Sequence, residues 1–515
     1  MRGGGYGWLR EGDLSAFLGL AFDNVAQLIV FATILIGVFG YPAGLVLGRM
    51  LPGTALGVLV GDLAYTWLAF RLAARSGRTD VTAMPLGIDT VSLFGLTFGA
   101  LGPVYLQTGD AELAWQVGMA LMVAMGLFKI AITWPAARLR PLVPSAAMLG
   151  TIGGIGVALI AFLPMLKILG APLVGLVALF LVLLALLRPP RLPLGVPPVL
   201  AAVALAAALA GLAGGGEAAG PAEGARLALA LPVPTLGFVH GLPLAVSYLP
   251  LALPLAFATI VGGIDNTESA AAAGDEYEVR SILLTEGLST LVAGVAGGVV
   301  QTTPYIGHPA YKRMGARAGY TLATALFVGL GGAVGGLGWA VQVLPEVVVV
   351  PILVFIGLEI GGQCFHAVPR RHAPAVAICF LPALADVALI LVDQMLHGAG
   401  TSAAALEAPA AGTYQALELL AAGFVFSAML LGTTIAFLID GRHGPAAATL
   451  LLAALAAAFG VIHSPLPGAA AFLPWRASSP LPLLVAGGYA LAAGLVWMAG
   501  RLPPPGGRSI EARPE

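Results

Sequence analysis

Two short acidic and polar motifs, each inside a long apolar run, are the parts of the chain best suited to chemistry. The first is Phe22-Asp23-Asn24-Val25-Ala26-Gln27, and the second is Ile264-Asp265-Asn266-Thr267-Glu268-Ser269. A carboxylate inside a membrane span commonly costs about 2.5–3.5 kcal/mol, so it is usually kept for a function. The two motifs open the two halves of the chain, which predicts an internally repeated transporter with its site between the repeats.

Two interrupted apolar segments form a second repeated signal. One contains Thr82-Ala83-Met84-Pro85-Leu86-Gly87-Ile88-Asp89, and the other contains Gln301-Thr302-Thr303-Pro304-Tyr305-Ile306-Gly307-His308. Proline lacks a backbone donor and pushes the preceding residue toward extended geometry. Each segment is therefore expected to run as a short extended stretch and then as a half-helix that starts near mid-membrane. The N–H groups and the positive dipole end of each half-helix would face a bound solute.

Composition places this chemistry in a membrane. The hydrophobic fraction is 59%, charged residues make up 10%, and the mean hydropathy is +0.96. Soluble domains carry roughly 25% charge. The net charge of −1 gives no reason to expect a nucleic-acid partner. Neither a disulfide nor a metal site is expected from the two cysteines, Cys364 and Cys379, and no cofactor is expected.

Apolar runs long enough to cross a bilayer predict sixteen spans, the tenth short and irregular. The seventh is expected at about 194–214 and the fourteenth at about 414–439, and the outside loop 397–413 is expected to be a poorly structured or partly interfacial linker. With the N-terminus in the cytoplasm, most of the 24 Lys and Arg residues fall in inside loops. We therefore expect an integral protein of a bacterial inner membrane with both termini cytoplasmic. The Asp-Asn motifs lie in spans 1 and 8 and the proline breaks in spans 3 and 10, so the repeat is seven spans long. An odd number of spans inverts the second repeat across the membrane.

The stretch from Asp265 to Ala316 resembles the nucleobase–cation symporter-2 family, which contains the uracil, xanthine and purine permeases. The residues that carry the resemblance are Asp265-Asn-Thr-Glu-Ser-Ala, Glu286-Gly-Leu-Ser-Thr-Leu-Val-Ala-Gly294 and Gln301-Thr-Thr-Pro-Tyr305. The resemblance implies that Asp265 holds the nucleobase. One departure is clear, because the family places a second Glu where this chain has Ile306, Gly307 and His308. His308 or Glu268 would have to replace it.

The resemblance also implies the fold class, an all-α polytopic membrane protein with a seven-plus-seven inverted repeat, core and gate domains, and strand-like breaks in spans 3 and 10. Two C-terminal helices extend this pattern. The expected division is 1–142 for the core domain of the first repeat, 143–242 for its gate domain, 243–343 for the core domain of the second repeat, 344–440 for its gate domain, and 441–515 for the two extra spans and a cytoplasmic tail.

These observations predict a secondary active permease for a nucleobase or similar small heterocycle, coupled to H⁺ or Na⁺. Asp265 and Glu268 lie three residues apart and Ser269 four, so a helix would place them on one face. Backbone N–H groups at Gly87 and Gly307 would contact carbonyl oxygens of the solute. The expected solute-binding residues are Asp23, Asn24, Gly87, Asp89, Asp265, Asn266, Glu268, Ser269, Thr303, Tyr305, Gly307 and His308.

Three alternatives stay open at the level of sequence. An anion carrier of the sulfate or bicarbonate type with the same architecture would suit two facing positive helix ends, although the acidic residues would repel its solute. A channel or passive facilitator would need no coupling carboxylate. A membrane enzyme is disfavoured, because the sequence carries no His-rich metal motif and no strong phosphate-binding loop. The Gly-rich runs leave a homodimer open as well.

Overall fold

The structure is a computed structural model in which most of the described chain is helical. The described residues are 6–135, 143–188, 202, 205–206, 208–209, 230–305, 307–335, 346–466, 472–476 and 479–502. Among them, seven helices are long and apolar enough to cross a membrane, or eight if one bent pair counts as a single span. Other predicted spans are shorter apolar helices, and the span expected at 194–214 lies almost wholly outside the described residues.

The chain divides into two compact units. The first comprises Met1–Leu142 and Ile152–Gln363, and the second comprises Val143–Thr151 and Cys364–Glu515. The finer division into core and gate domains of two repeats stays a prediction.

The first repeat supplies the opening elements of the first unit. They are α1 (Glu11–Thr33), α2 (Leu51–Ser76), β1 (Leu86–Ile88), α3 (Thr90–Leu96), α4 (Gly102–Thr108) and α5 (Ala111–Ile132). A π-helical turn at Thr97–Leu101 joins α3 to α4, so Thr90 to Thr108 is one continuous helical segment. Gly109 ends this segment with a φ of +67°, a conformation that glycine adopts without a steric penalty.

The chain then continues through α6 (Ser145–Ile155), α7 (Leu163–Gly170), α8 (Pro172–Leu187), α9 (Gly237–Ala272), α10 (Val279–Val295), β2 (Thr302–Pro304), α11 (His308–Arg313), α12 (Gly319–Ala333) and α13 (Glu346–His366). Further π-helical turns extend α1 (Ile34–Val38) and join α6 to α7 (Gly156–Phe162). A short helix, Ala43–Leu45, and another π-helical turn, Val46–Met50, lead into α2.

The two repeats interlock in the first unit. Strand β1 pairs antiparallel with β2, and Leu86, Gly87 and Ile88 lie opposite Pro304, Thr303 and Thr302. Helices α9 and α10 pack on α5, and α10 and α12 pack on α2. Gly126 of α5 permits this close approach, because a Cβ there would lie 2.8 Å from the backbone nitrogen of Leu291. The expected strand-like breaks are therefore present, and they meet each other.

The second unit contains α14 (Ala373–Ile378), α15 (Phe380–Gly398), α16 (Ala410–Ala421), α17 (Phe424–Ile439), α18 (His443–Ala458) and α19 (Leu481–Ala499). Short 3₁₀ turns lie at Arg370–His372, Ala403–Ala405 and Pro474–Arg476. Helices α18 and α19 pack on each other and match the two extra C-terminal spans that the sequence predicts.

The fourteenth span, which the apolar sequence predicts over about 414–439, is broken in the structure. The structure has α16 and α17 at an angle of 76° to each other. Gly423 lies at the break with a φ of +68°. The apolar composition runs through this point without a change, so a hydropathy argument passes over it. Helix α16 also begins at Ala410, inside the outside loop 397–413 that was expected to be a poorly structured or partly interfacial linker.

A single histidine ties the C-terminal pair to this broken span. The backbone N–H of His463 donates to Ala422 O at 3.1 Å, and its Nδ1 lies 2.7 Å from Leu419 O. Its Nε2 lies 2.9 Å from the Tyr489 hydroxyl on α19. Leu419 O in the last turn of α16 and Ala422 O directly after it are thereby satisfied from outside the helix.

Candidate functional site

The centre of the candidate site is the β1–β2 ladder. Tyr305 N donates to Pro85 O at 2.9 Å, and Asp89 N donates to Gln301 O at 2.9 Å. Hydrogen-bonded pairs recur at every second residue of an antiparallel ladder, so Gly87 and Thr303 form the pair between these two bonds. In this conformation the Gly87 N–H is directed at β2. Its predicted contact with a solute stays a prediction that would need the ladder to open.

Side chains from α1 and α2 satisfy the outer edge of β1. Ile88 N donates to Asn24 Oδ1 at 3.1 Å, and Leu86 N donates to Asp62 Oδ1 at 3.2 Å. Asn24 and Asp62 are both fully buried. A buried backbone N–H without an acceptor is costly, so these two side chains fix the position of the strand.

The outer edge of β2 is satisfied in a corresponding way by α9 and α5. Asn266 Nδ2 donates to Pro304 O at 2.6 Å, and Lys129 Nζ donates to Thr302 O at 3.2 Å. The asparagine of each repeated motif therefore binds the strand of its own repeat. Asn24 and Asn266 act as strand-holding residues in this conformation.

Asp89 begins α3 as its N-cap. Its carboxylate accepts from Ser92 N at 2.8 Å and from Gln301 Nε2 at 3.0 Å, and only 7% of the residue is exposed. An N-cap carboxylate satisfies a free N–H of the first turn and opposes the positive end of the helix dipole. Asp89 thus holds the start of the helical segment that follows β1.

A polar network crosses from α1 to the strand pair. Gln27 Nε2 donates to Asp23 Oδ2 at 3.1 Å and to the Tyr305 hydroxyl at 2.8 Å. The Tyr305 hydroxyl donates to Ile88 O at 3.0 Å, and Thr90 Oγ1 donates to Gln27 Oε1 at 2.9 Å. Asp23, unlike its neighbour Asn24, is exposed. The network therefore links the exposed Asp23 carboxylate, through Gln27, to Thr90, the first residue of α3.

Gln27 was not among the expected site residues, although the motif contains it. It lies four residues after Asp23, on the same helix face, which is the signal that could have identified it. The Tyr305 ring occupies the space that a Cβ at Gly87 would need, so Gly87 makes room for it.

The remaining predicted residues divide between two places. Asp265 and Glu268 are exposed on α9, and Ser269 is half-buried on the same helix. Thr303 is half-buried in β2, and Gly307 directly precedes α11. Their roles as solute ligands stay predictions. Ile306, which replaces the expected second carboxylate, lies outside the described residues.

His308 lies in a cluster of charged side chains. Its Nε2 lies 3.2 Å from Asp275 Oδ2 and 3.1 Å from Thr82 O, and the ring is fully buried. The same carboxylate receives Thr82 N at 3.0 Å and faces Lys312 Nζ at 2.6 Å. In this structure His308 joins a segment of the first repeat to α11 of the second.

Charge partners determine the acidity of this cluster. Burial acts to raise the pKa of Asp275, but hydrogen bonds from His308, Lys312 and Thr82 N outweigh it and bring the pKa below its ordinary value. The Arg78 guanidinium, at 2.7 Å from Asp80, lowers the pKa of that carboxyl. Both acids, which lie outside the helices, are therefore held in the ionised form at neutral pH.

A buried ion pair underlies β2. Lys129 Nζ lies 2.8 Å from Glu286 Oε1, and both side chains are fully buried. From the sequence, Lys129 is expected to neutralise one of four other membrane-embedded acids, which are Asp62, Asp89, Glu359 and Asp386. The structure pairs it with Glu286 instead. The acid was assigned to the Gly-Leu-Ser-Thr segment, and only the packing of α10 on α5 brings it to the lysine.

Within the described residues, no group of three or more His, Cys, Asp or Glu side chains is placed to hold a metal ion. The arrangement instead combines a helix start, accessible carboxylates and polar groups. Groups of these kinds suit a small polar or charged solute.

The fold is similar to that of solved transporter structures. The transmembrane domain of the cyanobacterial bicarbonate transporter BicA matches with a TM-score of 0.50 and 17% identity, covering 75% of this chain and 96% of that one. A structure of SLC26A9 matches with a TM-score of 0.51 and 14% identity, covering 74% of this chain and 64% of that one. The murine Solute Carrier 26 family member A9 anion transporter matches at 15% identity, 75% and 69% coverage, and a TM-score of 0.48. No family model and no curated protein matches the sequence.

These matches define the class of protein. The chain is an integral membrane protein with a helical transporter fold, and the expected seven-plus-seven inverted-repeat fold class is confirmed. At these identities the likeness establishes the fold, and the solute is a separate question.

The resemblance to the nucleobase–cation symporter-2 family is wrong. The matching structures with TM-scores of 0.50 and 0.51 are a bicarbonate transporter and SLC26A9, not nucleobase permeases. The physical reason lies in what the matching residues do. Thr302 and Pro304 form β2, Glu286 pairs with Lys129, and Asn266 holds Pro304 O. Residues that build a shared strand-and-helix frame report the fold and not the solute.

Proposed function

We propose that this protein is a secondary transporter of a small inorganic anion, with bicarbonate as the first candidate, and that it works by alternating access. The observation that carries the proposal is the fold match to the bicarbonate transporter BicA, which extends over 96% of that chain. The anion carrier, an alternative at the level of sequence, thus replaces the nucleobase permease. A transporter fold also supports the expectation that the chain is not an enzyme.

The start of α3 gives the proposal a physical basis. The helical segment from Thr90 to Thr108 is continuous, so the aligned peptide dipoles place a partial positive charge at its N-terminal end, part of which the Asp89 carboxylate offsets. The hydroxyls of Thr90 and Tyr305 and the amide of Gln27 lie at that end. Hydroxyl and amide donors suit the oxygens of a small oxyanion. In this conformation their hydrogens are engaged with Gln27, Ile88 O, Asp23 and Tyr305, so binding would require these groups to turn toward the anion.

The acidic residues of the repeated motifs argue for coupling. Asp23, Asp265 and Glu268 are exposed, and each would repel an anion when ionised. A proton or a sodium ion that neutralises one of them would remove this repulsion and bind together with the anion. We therefore propose coupling to H⁺ or Na⁺, with Asp23 and Asp265 as the residues that sense the cation.

Thermal stabilisation of the purified protein against a panel of anions tests this proposal. Bicarbonate, sulfate and chloride would be compared at constant ionic strength, with and without Na⁺ and at two pH values. A ligand that binds only the folded state raises the melting temperature according to its concentration and affinity. We expect one anion to raise it more in the presence of the coupling cation, and less in Asp265→Asn. Equal melting temperatures across the panel would count against an anion as the solute.

A further inference from the structure

The Lys129–Glu286 pair lies where four elements meet. Lys129 belongs to α5 and Glu286 to α10, and their charged atoms are 2.8 Å apart with no exposure of either side chain. Glu286 Oε2 lies against α9, since a Cβ at Gly263 would be only 2.9 Å from it. Lys129 Nζ also reaches Thr302 O of β2 at 3.2 Å. The pair therefore contacts the strand and both helices that precede it in the second repeat.

Thr302 is held from two directions. Its carbonyl accepts from the Lys129 ammonium, and its hydroxyl lies 2.6 Å from Ser289 Oγ of α10. Thr290, the next residue of α10, places its hydroxyl 3.5 Å from the same ammonium. Thr302 is paired with Ile88 and directly precedes Thr303 in the ladder. Any movement of the ammonium is thus transmitted to the part of β2 that faces β1.

The charges of this pair cancel at short range, so the pair contributes little field to a solute. Its cost is high, because two charges are removed from water inside the membrane and good geometry must offset that. The polar edge of β2 could otherwise be satisfied by a neutral donor, as Asn266 does for Pro304 O. The property that distinguishes Lys129 is a charged donor held rigidly by its partner and aimed at a carbonyl.

We propose that Lys129 is a positioning residue for transport. Held by Glu286, its ammonium fixes the Thr302 carbonyl and so sets where β2 places Thr303 and the start of α11 relative to β1. This inference rests on the proposed anion transport. Under this proposal, the role of the ion pair is to set the geometry of the binding site and not to stabilise the fold.

A double substitution separates these two roles. Lys129→Met alone leaves a buried carboxylate without its partner and is expected to lower the melting temperature strongly. Lys129→Met with Glu286→Leu removes both charges at similar volume and is expected to recover most of the lost melting temperature, with a small deficit from the Thr302 carbonyl that has lost its donor. Anion uptake by this stable double variant is then expected to show a KM about tenfold higher with Vmax little changed, because the Thr302 carbonyl has lost its donor.

The matched control is Arg49→Gln with Glu112→Gln, which removes an exposed ion pair of 2.7 Å elsewhere in the first unit. It is expected to change neither KM nor the melting temperature. Wild-type KM in the stable double variant would overturn the positioning role. If the double variant does not fold, Lys129→Arg keeps the ion pair and moves the donor, and an unchanged KM there would overturn the role equally. A wild-type protein that transports no anion would instead contradict the proposed function.

Discussion

Asn24 and Asn266 hold the two paired strands β1 and β2 through opposite ends of their side-chain amides. Asn24 accepts through Oδ1 from Ile88 N at 3.1 Å, whereas Asn266 donates through Nδ2 to Pro304 O at 2.6 Å. The backbone partner fixes the direction in each case, since one is an N–H and the other a carbonyl. The repeated Asp-Asn motif therefore contributes one strand-holding residue to each repeat.

The same substitution is expected to destabilise both positions, each for its own reason. Asn24→Asp keeps an acceptor for the Ile88 N–H, but it loses the Nδ2 donor to Leu20 O at 3.0 Å and buries a charge where the side chain has no exposure. Asn266→Asp removes the donor to Pro304 O and sets two oxygens against each other. We expect each variant to lose about 2–3 kcal/mol of folding stability. Melting temperatures at one pH measure both losses, and a variant as stable as the wild type would contradict the hydrogen bonds assigned to that asparagine.

Two neighbouring glycines of α9 form a second comparison. A Cβ at Gly263 would lie 2.8 Å from Leu283 Cδ2 and 2.9 Å from Glu286 Oε2, whereas one at Gly262 would meet nothing within 4 Å. Gly263→Ala is therefore expected to destabilise the protein by about 1–3 kcal/mol, as overpacking does. Gly262→Ala is the control and should be neutral for stability or slightly favourable, because alanine favours a helix. Thermal unfolding in detergent measures both, and a Gly263→Ala variant as stable as Gly262→Ala would argue against the packing described around Glu286.

Acid should weaken the cluster around Asp275. The pKa of this carboxyl is lower in the folded state than in the unfolded state, where it is about 3.9. Its contribution to stability is therefore present above about pH 4 and is lost as the pH falls through the folded-state pKa. Asp275→Asn should cost about 2 kcal/mol at pH 7 and reduce the acid sensitivity of the melting temperature.

Asp80→Asn is the matched control for this experiment. Like Asp275, Asp80 has a cationic partner, Arg78, but about half of the Asp80 side chain is exposed (53%). Exposed pairs contribute roughly 0–1 kcal/mol, so its loss should change the melting temperature little. The prediction about Asp275 fails if both variants retain the full acid sensitivity of the wild type.

Asp23 offers a test of coupling. Its carboxylate is accessible and receives Gln27 Nε2 beside the start of α3. Asp23→Asn keeps an acceptor for Gln27 and removes the charge. We expect anion uptake by this variant to lose its dependence on the H⁺ or Na⁺ gradient and to keep its dependence on the anion. Uptake that follows the cation gradient as strongly as in the wild type would remove Asp23 from the coupling step.

The sequence predicted the features that depend on local chemistry. Proline and glycine at 85–87 and at 304–307 predicted extended breaks, because these residue types restrict or free the backbone. The Asp-Asn pairs in apolar runs predicted repeats, because a carboxylate inside a membrane span costs energy and is usually kept for a function. The partner of Lys129 could not be predicted, because Glu286 approaches it only through packing between different repeats. The same holds for His308, whose contact with Asp275 depends on how the loop 273–278 folds back.

The identity of the solute was the least predictable part. The matching segment contains residues that build the strand pair and its supports, and such residues recur wherever this frame recurs. Under the proposed function, solute selectivity would depend on a few side chains at the surface of this frame, such as Gln27 and Tyr305, whose contact the sequence does not reveal. A short-motif resemblance therefore predicted the correct architecture and the wrong family.

Flux measurements test the central claim most directly. The protein would be reconstituted into liposomes and the uptake of labelled bicarbonate followed with inward Na⁺, inward H⁺ or no cation gradient, with sulfate and chloride as competitors. Anion transport predicts saturable uptake that one cation gradient accelerates, and that collapse of that gradient abolishes. Uptake that ignores both gradients would indicate a passive facilitator, and the absence of any saturable anion uptake would contradict the proposed function.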